Sequence, residues 1–194
     1  MIKLIIITTF IIYLDFSSIA QPIIEIYKND ICELKTNGND ATNGVKLRML
    51  YPCEWAGTDN VRPGTLIQYS YYIDETTYIT QNINFRKISA LWDWSTMSMV
   101  KGEEIIRKTN LEKGIKLESF KQISIDLLKS IECKSSIIIE APVGKKYGYV
   151  IQYIIPYKYT SITITFGVTA NSLEMANQIY ELYVPLFKYL ADKT

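Results

Sequence analysis

In residues 135–168 the chain runs SSIIIEAPVGKKYGYVIQYIIPYKYTSITITFGV, and three parts of it are rich in β-branched and aromatic residues. These parts are residues 135–140, 149–155 and 159–168, and they predict three β-strands. Residues 142–146 and 156–158 contain the proline, glycine and lysine residues of tight turns. Because such short connections join neighbouring antiparallel strands, the stretch predicts an antiparallel meander.

The residues after the meander predict a long helix at 171–190. Asn171 is a favourable N-cap, and Glu174 three residues later is typical of a capping box. Apolar residues recur at helical spacing and predict one buried face. They are Leu173, Ala176, Tyr180, Tyr183, Phe187 and Leu190. Pro185 lacks a backbone N–H, so we expect it to kink or interrupt this helix.

Upstream of the meander, the pattern predicts further strands and then two helices. Apolar residues at helical spacing predict an amphipathic helix at 120–131, and mixed periodicity predicts another at 93–107. Alternation predicts strands at 45–51, 67–73 and 77–85, with a weaker first strand at 23–27. Together these elements predict an α+β fold, in which helices flank an antiparallel sheet.

Residues 44–55, GVKLRMLYPCEW, predict a strand that runs into a proline turn. The stretch resembles the opening of the PsbP/Mog1-like superfamily, a strand followed by Tyr-Pro-x-x-Trp, here Tyr51, Pro52 and Trp55. The later order is also similar: a helix, a strand pair with a glycine hairpin at 143–148, a strand and a C-terminal helix. The chain departs from the pattern at Cys53, inside the motif, and over residues 92–108.

The resemblance implies a layered α/β/α sandwich in which Trp55 packs beneath the sheet. It gives Tyr51, Pro52 and Trp55 structural roles, and no family active site carries over to this chain. Members of the superfamily are mostly non-enzymatic binding or assembly factors with different partners. The resemblance therefore implies a binding protein without naming what it binds.

The N-terminal residues predict a cleaved signal peptide over residues 1–20. Lys3 is followed by an apolar run at 4–14, and Ser18 and Ala20 place small side chains before a cut after Ala20. The alternative is an uncleaved anchor, but the run is short for about 30 Å of hydrocarbon. We expect a single secreted or periplasmic domain over 21–194, with no stable membrane insertion after cleavage.

The three cysteines, Cys32, Cys53 and Cys133, allow at most one disulfide within the chain. An exported protein meets conditions in which disulfides form. We favour Cys32–Cys53, because both residues lie in the N-terminal half and would close a short loop. The alternative is that all three are small buried residues.

The composition excludes several kinds of site. The chain contains no histidine, which removes Ser-His-Asp and Cys-His catalysis and every imidazole zinc site. A net charge of +1 with scattered lysines and arginines argues against nucleic acid as a partner. The adjacent acidic residues at 74–75 and 103–104 are typical of solvated surface, and the loop at 37–40 lacks most of a calcium motif. We therefore predict no catalytic residue, no metal site and no cofactor.

Aromatic residues offer one candidate binding surface. Trp92 and Trp94 flank an aspartate, and exposed aromatic rings beside a polar group suit a sugar or peptide. The alternative is that both rings belong to the core. Tyr69 and Tyr71 alternate in phase with apolar neighbours, which predicts that they face the core.

Export, the missing histidine and the resemblance together favour a non-enzymatic protein that binds another protein, in an immunity-type or envelope-assembly role. A small-ligand binder for lipid or sugar is the first alternative, and an enclosed cavity would favour it. A carboxylate-based hydrolase is the second, and it requires two acidic residues that converge in a cleft.

Overall fold

A computed structural model describes Tyr27 and residues 29–38, 42–59, 65–87, 98–125, 127–141, 144–157 and 160–193. The strands in these ranges are β1 Ile31–Lys35, β2 Arg48–Pro52, β3 Ala56–Asp59, β4 Thr65–Tyr72, β5 Tyr78–Lys87, β6 Ile115–Ile125, β7 Leu128–Ala141, β8 Gly144–Tyr157 and β9 Thr160–Ala170. The helices are α1 Met99–Leu111 and α2 Leu173–Asp192.

Seven of the described strands form one antiparallel sheet in the order β3-β4-β5-β9-β8-β7-β6. Strands β7, β8 and β9 are neighbours in that order, so the predicted meander is confirmed. Strand β9 pairs along its whole length with β5, which comes from the N-terminal half of the sequence. Strands β1 and β2 form a separate two-stranded sheet.

The two faces of the large sheet carry different helices. One face, here the α2 face, buries Ile79, Ile151 and Phe166 in the core that also contains Leu186 and Phe187 of α2. On the other, the α1 face, Cys133 and Ile154 pack with partly buried Ile106 of α1. Side chains alternate between the faces because successive strand residues point in opposite directions. Helices on both sides of a sheet form the α/β/α sandwich that was expected.

The small sheet is fastened to the large one through the Tyr-Pro-x-x-Trp motif. The Tyr51 ring stacks on Tyr69 of β4 with ring centroids 3.8 Å apart, and Trp55 is buried and stacks on Tyr71. The Gln81 side chain donates a hydrogen bond from Nε2 to the Leu50 carbonyl oxygen over 3.0 Å. The motif residues therefore pack as structural residues, as the resemblance implied.

The predicted amphipathic helix at 120–131 is wrong, because residues 120–125 belong to β6 and residues 128–131 to β7. Residues 115–125 pair with 128–137 of β7, and β7 pairs with β8 along its length. A short apolar run can satisfy the helical and the strand period at once. Strand pairing decides the outcome here, since it satisfies the backbone N–H and C=O groups of both partners.

Helix α2 begins one residue later than predicted. Ser172 is the N-cap, and its hydroxyl oxygen accepts a hydrogen bond from the Met175 backbone N–H over 3.1 Å. Leu173, predicted to be buried, is 45% exposed at the first position of the helix. Pro185 lies inside α2 without interrupting it, and eight buried residues hold the helix against the sheet.

Other boundaries shift by a few residues. The helix predicted at 93–107 is observed as α1, and residues 93–97 lie outside the described part of the chain. Residues 45–47 precede β2 and are not in a strand. Of the predicted strand at 23–27 only Tyr27 is described, and it is buried with a helical backbone.

Candidate functional site

Exposed apolar side chains concentrate at the end of the sheet where β4, β7 and β9 finish. Of the nine large exposed hydrophobic residues in the described part of the chain, six lie at this end. We call them the apolar patch: Tyr72, Ile73, Ile138, Ile139, Leu173 and Met175. Their exposed fractions range from 36% to 64%. A group of exposed apolar residues of this kind marks an interaction surface more often than single scattered ones do.

Three chain segments build the patch, and register pairing brings them together. Tyr72 ends β4 and pairs with Tyr78, whose other neighbour is Thr169 near the end of β9. Ile138 and Ile139 end β7, where β8 begins at Gly144. Leu173 and Met175 occupy the first turn of α2, directly after β9. The patch is therefore a joint product of two hairpins and a helix start.

Polar contacts hold these segments in place. Lys146 Nζ donates to the Thr76 carbonyl oxygen over 3.1 Å and to Asn171 Oδ1 over 2.9 Å. Asn171 Nδ2 donates to Thr76 Oγ1 over 2.7 Å. The Thr77 hydroxyl contacts the Met175 sulfur at 3.7 Å. These contacts position the β4–β5 turn, the start of β8 and the start of α2 relative to one another.

The β4–β5 turn has its own support from Asp74. Its carboxylate accepts hydrogen bonds from the backbone N–H groups of Thr76 and Thr77 and from the Thr76 hydroxyl, over 2.7–2.8 Å. These bonds, with those from Thr76 the largest cause, lower the pKa of Asp74 from its ordinary 3.8 to about 2. The Asp74 carboxylate is therefore charged at neutral pH, and its Oδ1 atom is already hydrogen-bonded within the β4–β5 turn.

The two edge strands of the large sheet, β3 and β6, are poorly suited to pairing with a strand of another protein. Strand β3 has only four residues, all exposed. Strand β6 is interrupted by a bulge between Leu117 and Ser119, and it exposes Lys116, Glu118 and Lys121. Short strands, bulges and charges are features that keep sheet edges from pairing with other chains. The apolar patch is therefore the better candidate surface.

In the structure the sulfur atoms of Cys32 and Cys53 lie at bonding distance, 2.10 Å apart. Cys133 is a buried free cysteine on the α1 face. Burial, followed by the nearby charges of Glu132 and Glu103, raises the pKa of the Cys133 thiol to about 12. This thiol is therefore protonated and unreactive, which does not favour a catalytic role.

The remaining sequence candidates do not form a site among the described residues. Trp92 and Trp94 lie outside that part of the chain, so the proposed aromatic surface stays a prediction. The acidic pair at 74–75 lies in the β4–β5 turn, whereas Glu103 lies in α1 and forms an ion pair with Arg107 at 2.7 Å. Within the described ranges, no three Cys, Asp or Glu side chains are grouped as metal ligands.

The sequence did not identify the patch. Ile73 alternates in phase with core residues, Ile138 lies in a β-branched run, and Leu173 continues the apolar stripe of α2. Each residue looks like core when only its own element is considered. All six patch residues lie near the end of a strand or the start of a helix. This position is the feature of the sequence that could have indicated their exposure.

Comparisons with known proteins establish the fold. No family model matches the sequence, and no curated protein matches it. The solution structure of cyanobacterial PsbP (CyanoP) from Synechocystis sp. PCC 6803 is similar, with 13% identity and a TM-score of 0.54, over 84% of this chain and 89% of that chain. The Saccharomyces cerevisiae Ran-binding protein Mog1p is similar at 10% identity and a TM-score of 0.50, over 84% and 91%.

Of the described helices, neither α1 nor α2 is long and apolar enough to cross a membrane. The similarity to the two solved structures covers most of the described elements and agrees with the Tyr51-Pro52-x-x-Trp55 motif. The chain therefore has the PsbP/Mog1-like fold.

Proposed function

We propose that the protein is an exported, non-enzymatic module that binds another protein through the apolar patch. The patch is the observation that carries the proposal, because six exposed apolar side chains lie around one end of the sandwich, which hydrogen bonds brace. Ile138 and Ile139 are consecutive in β7 and point to opposite faces, so the patch wraps over that end. A partner that covers it would remove apolar area from water, the main driving force of protein association. The Ran-binding description of Mog1p is consistent with protein binding on this fold.

Export is the second part of the proposal. It is supported by the signal-peptide pattern over 1–20 and by the pairing of Cys32 with Cys53, since disulfides persist in oxidising compartments. The exported chain is a single domain over 21–194. Mass spectrometry of the protein recovered from its source should find Gln21 at the N-terminus. A cytoplasmic protein that keeps Met1 or residues 2–20 would contradict this part.

The partner is a protein with an apolar surface of its own, in an assembly-type or immunity-type role. The test is capture of proteins from an extract of the source cell by three forms of the chain. The first is wild type, and the second carries Leu173→Asp and Met175→Glu. The third carries Leu127→Asp, which changes a residue that is 97% exposed in the β6–β7 turn, away from the patch.

The double variant is designed to keep the fold. Both substitutions lie in the first turn of α2, where acidic side chains interact favourably with the helix dipole. A glutamate at 175 also completes a capping box with Ser172. We expect one stoichiometric protein to be captured by wild type and by Leu127→Asp and lost with the double variant. Equal capture by all three forms would refute the patch as the interface.

A further inference from the structure

A second site lies on the other side of the sheet, in a cleft of about 380 Å³ between α1 and the α1 face. Helix α1 contributes Ile106 and Asn110, and the floor is formed by strands β4 to β9. The volume lies within the range of about 300–1,000 Å³ that small-molecule pockets occupy. It is also far larger than the roughly 30 Å³ that one water molecule fills.

Neutral hydrogen-bonding side chains cover the floor of the cleft. Asn82 and Asn84 come from β5, Thr163 and Thr165 from β9, and Gln152 from β8. Register places them side by side, since Thr165 pairs with both Asn82 and Gln152, and Thr163 pairs with Asn84. Among the described residues that line the cleft, only Lys113 carries a charge.

Asn82 is the residue that points to a ligand. It is 8% exposed, it lines the cleft, and its Oδ1 atom is buried without a hydrogen-bond partner among the described residues. Its neighbours are engaged, because Asn84 Oδ1 accepts from the Thr65 hydroxyl over 2.7 Å and Gln152 Nε2 donates to Thr165 over 3.3 Å. An unpaired buried amide oxygen costs about 1–3 kcal/mol, so such groups normally have a partner.

The chemistry of the lining selects the ligand class. Amides both donate and accept, and a hydroxyl group does the same, so hydroxyls can satisfy either end of Asn82 and of Gln152. The nearly neutral lining does not select a charged ligand. Ile106 and Ile154 add an apolar surface for the carbon–hydrogen face of a ring. We infer that the cleft binds an uncharged polyhydroxylated molecule, a saccharide.

The inference is tested by titrating the purified, ¹⁵N-labelled protein with glucose, galactose and N-acetylglucosamine, alongside a glycan array. We expect one saccharide to shift the side-chain amide signals of Asn82, Asn84 and Gln152. Asn82→Ala should weaken that affinity about tenfold or more, the effect of losing one buried hydrogen bond. Because removing an unpaired buried oxygen relieves its desolvation cost, the variant should not lower the melting temperature of the unliganded protein.

Gln68→Ala is the matched control, since Gln68 is an amide on the same sheet face that does not line the cleft. It should bind the saccharide as wild type does. The Leu173→Asp/Met175→Glu variant should also bind normally, so this inference and the proposed protein interface can fail separately. The inference is overturned if no saccharide binds in either assay, or if a high-resolution structure with soaked saccharide shows only ordered water at Asn82.

Discussion

The link between Cys32 and Cys53 makes a quantitative prediction about stability. Cys32 lies in β1 and Cys53 directly follows β2, so the bond closes the small sheet across 21 positions of sequence. That sheet also carries Met49, Leu50 and Trp55 into the core. Replacing both cysteines by serine leaves these contacts in the folded state and frees the loop in the unfolded state.

The size of the effect follows from the loop length. A cross-link over a loop of this size removes roughly 11 cal/mol/K of entropy from the unfolded chain, which is about 3 kcal/mol at 25 °C. For a chain of this length each kcal/mol corresponds to about 2–4 °C, so the melting temperature should fall by roughly 6–12 °C.

The assay is urea unfolding followed by circular dichroism, with and without reductant, on three forms of the protein. Wild type and a Cys133→Ala variant should each lose about 3 kcal/mol when reductant is added. The Cys32→Ser/Cys53→Ser variant should show no response to reductant. Cys133→Ala serves as the control because it removes a cysteine that lies outside the bond.

Two results would refute the reasoning. One is a wild-type unfolding curve that reductant does not change, because the bond would then contribute nothing to stability. The other is a non-reducing peptide map in which Cys133 is linked to Cys32 or to Cys53. Either result would require a different arrangement of the small sheet.

Three further predictions concern single side chains. Gln81→Leu should lower the free energy of unfolding by about 1 kcal/mol in urea titrations, because the Leu50 carbonyl loses its buried donor; an unchanged value would contradict this. The pKa of Asp74 is depressed to about 2, so its stabilising effect is present above pH 3.8 and is lost as the pH falls through 2. Acid titration should therefore show a shallower loss of stability between those pH values for Asp74→Asn than for wild type, and parallel curves would count against it. Cys133 should resist alkylation in the folded protein at pH 8 and react fully in urea, since burial raises its pKa to about 12; rapid labelling of the folded protein would show that the site is open.

Local sequence was sufficient to predict an element where its own pattern fits only one kind of secondary structure. The run from 149 to 168 is β-branched, bounded by turns and too regular for a helix, and it forms β8 and β9. The Tyr51-Pro52-x-x-Trp55 motif indicated the fold through its resemblance to the PsbP/Mog1-like superfamily, and Trp55 is buried as that resemblance implied. The cysteine pairing was favoured from loop length alone.

Local sequence was misleading where two structures fit the same pattern. Residues 120–131 satisfy a helical stripe, and only the pairing of residues 120–125 with residues 128–133 of β7 makes them strand. Asn171 is a suitable helix cap, yet its side chain is engaged by Lys146 and Thr76 from other segments, and Ser172 takes the capping role. In both cases partners distant in sequence outweigh the local preference.

The sequence by itself determined the α+β class, the strands of the meander and the kinds of chemistry that a chain without histidine lacks. Only the tertiary structure decided where a site could be. Asn82 and Gln152 are 70 positions apart in the sequence, and they lie in one row across the sheet because both pair with Thr165 of β9. The apolar patch likewise exists because three segments end at the same end of the sandwich, where no layer formed by the described residues covers them. Burial and convergence depend on which strands pair, and pairing is a property of the whole chain.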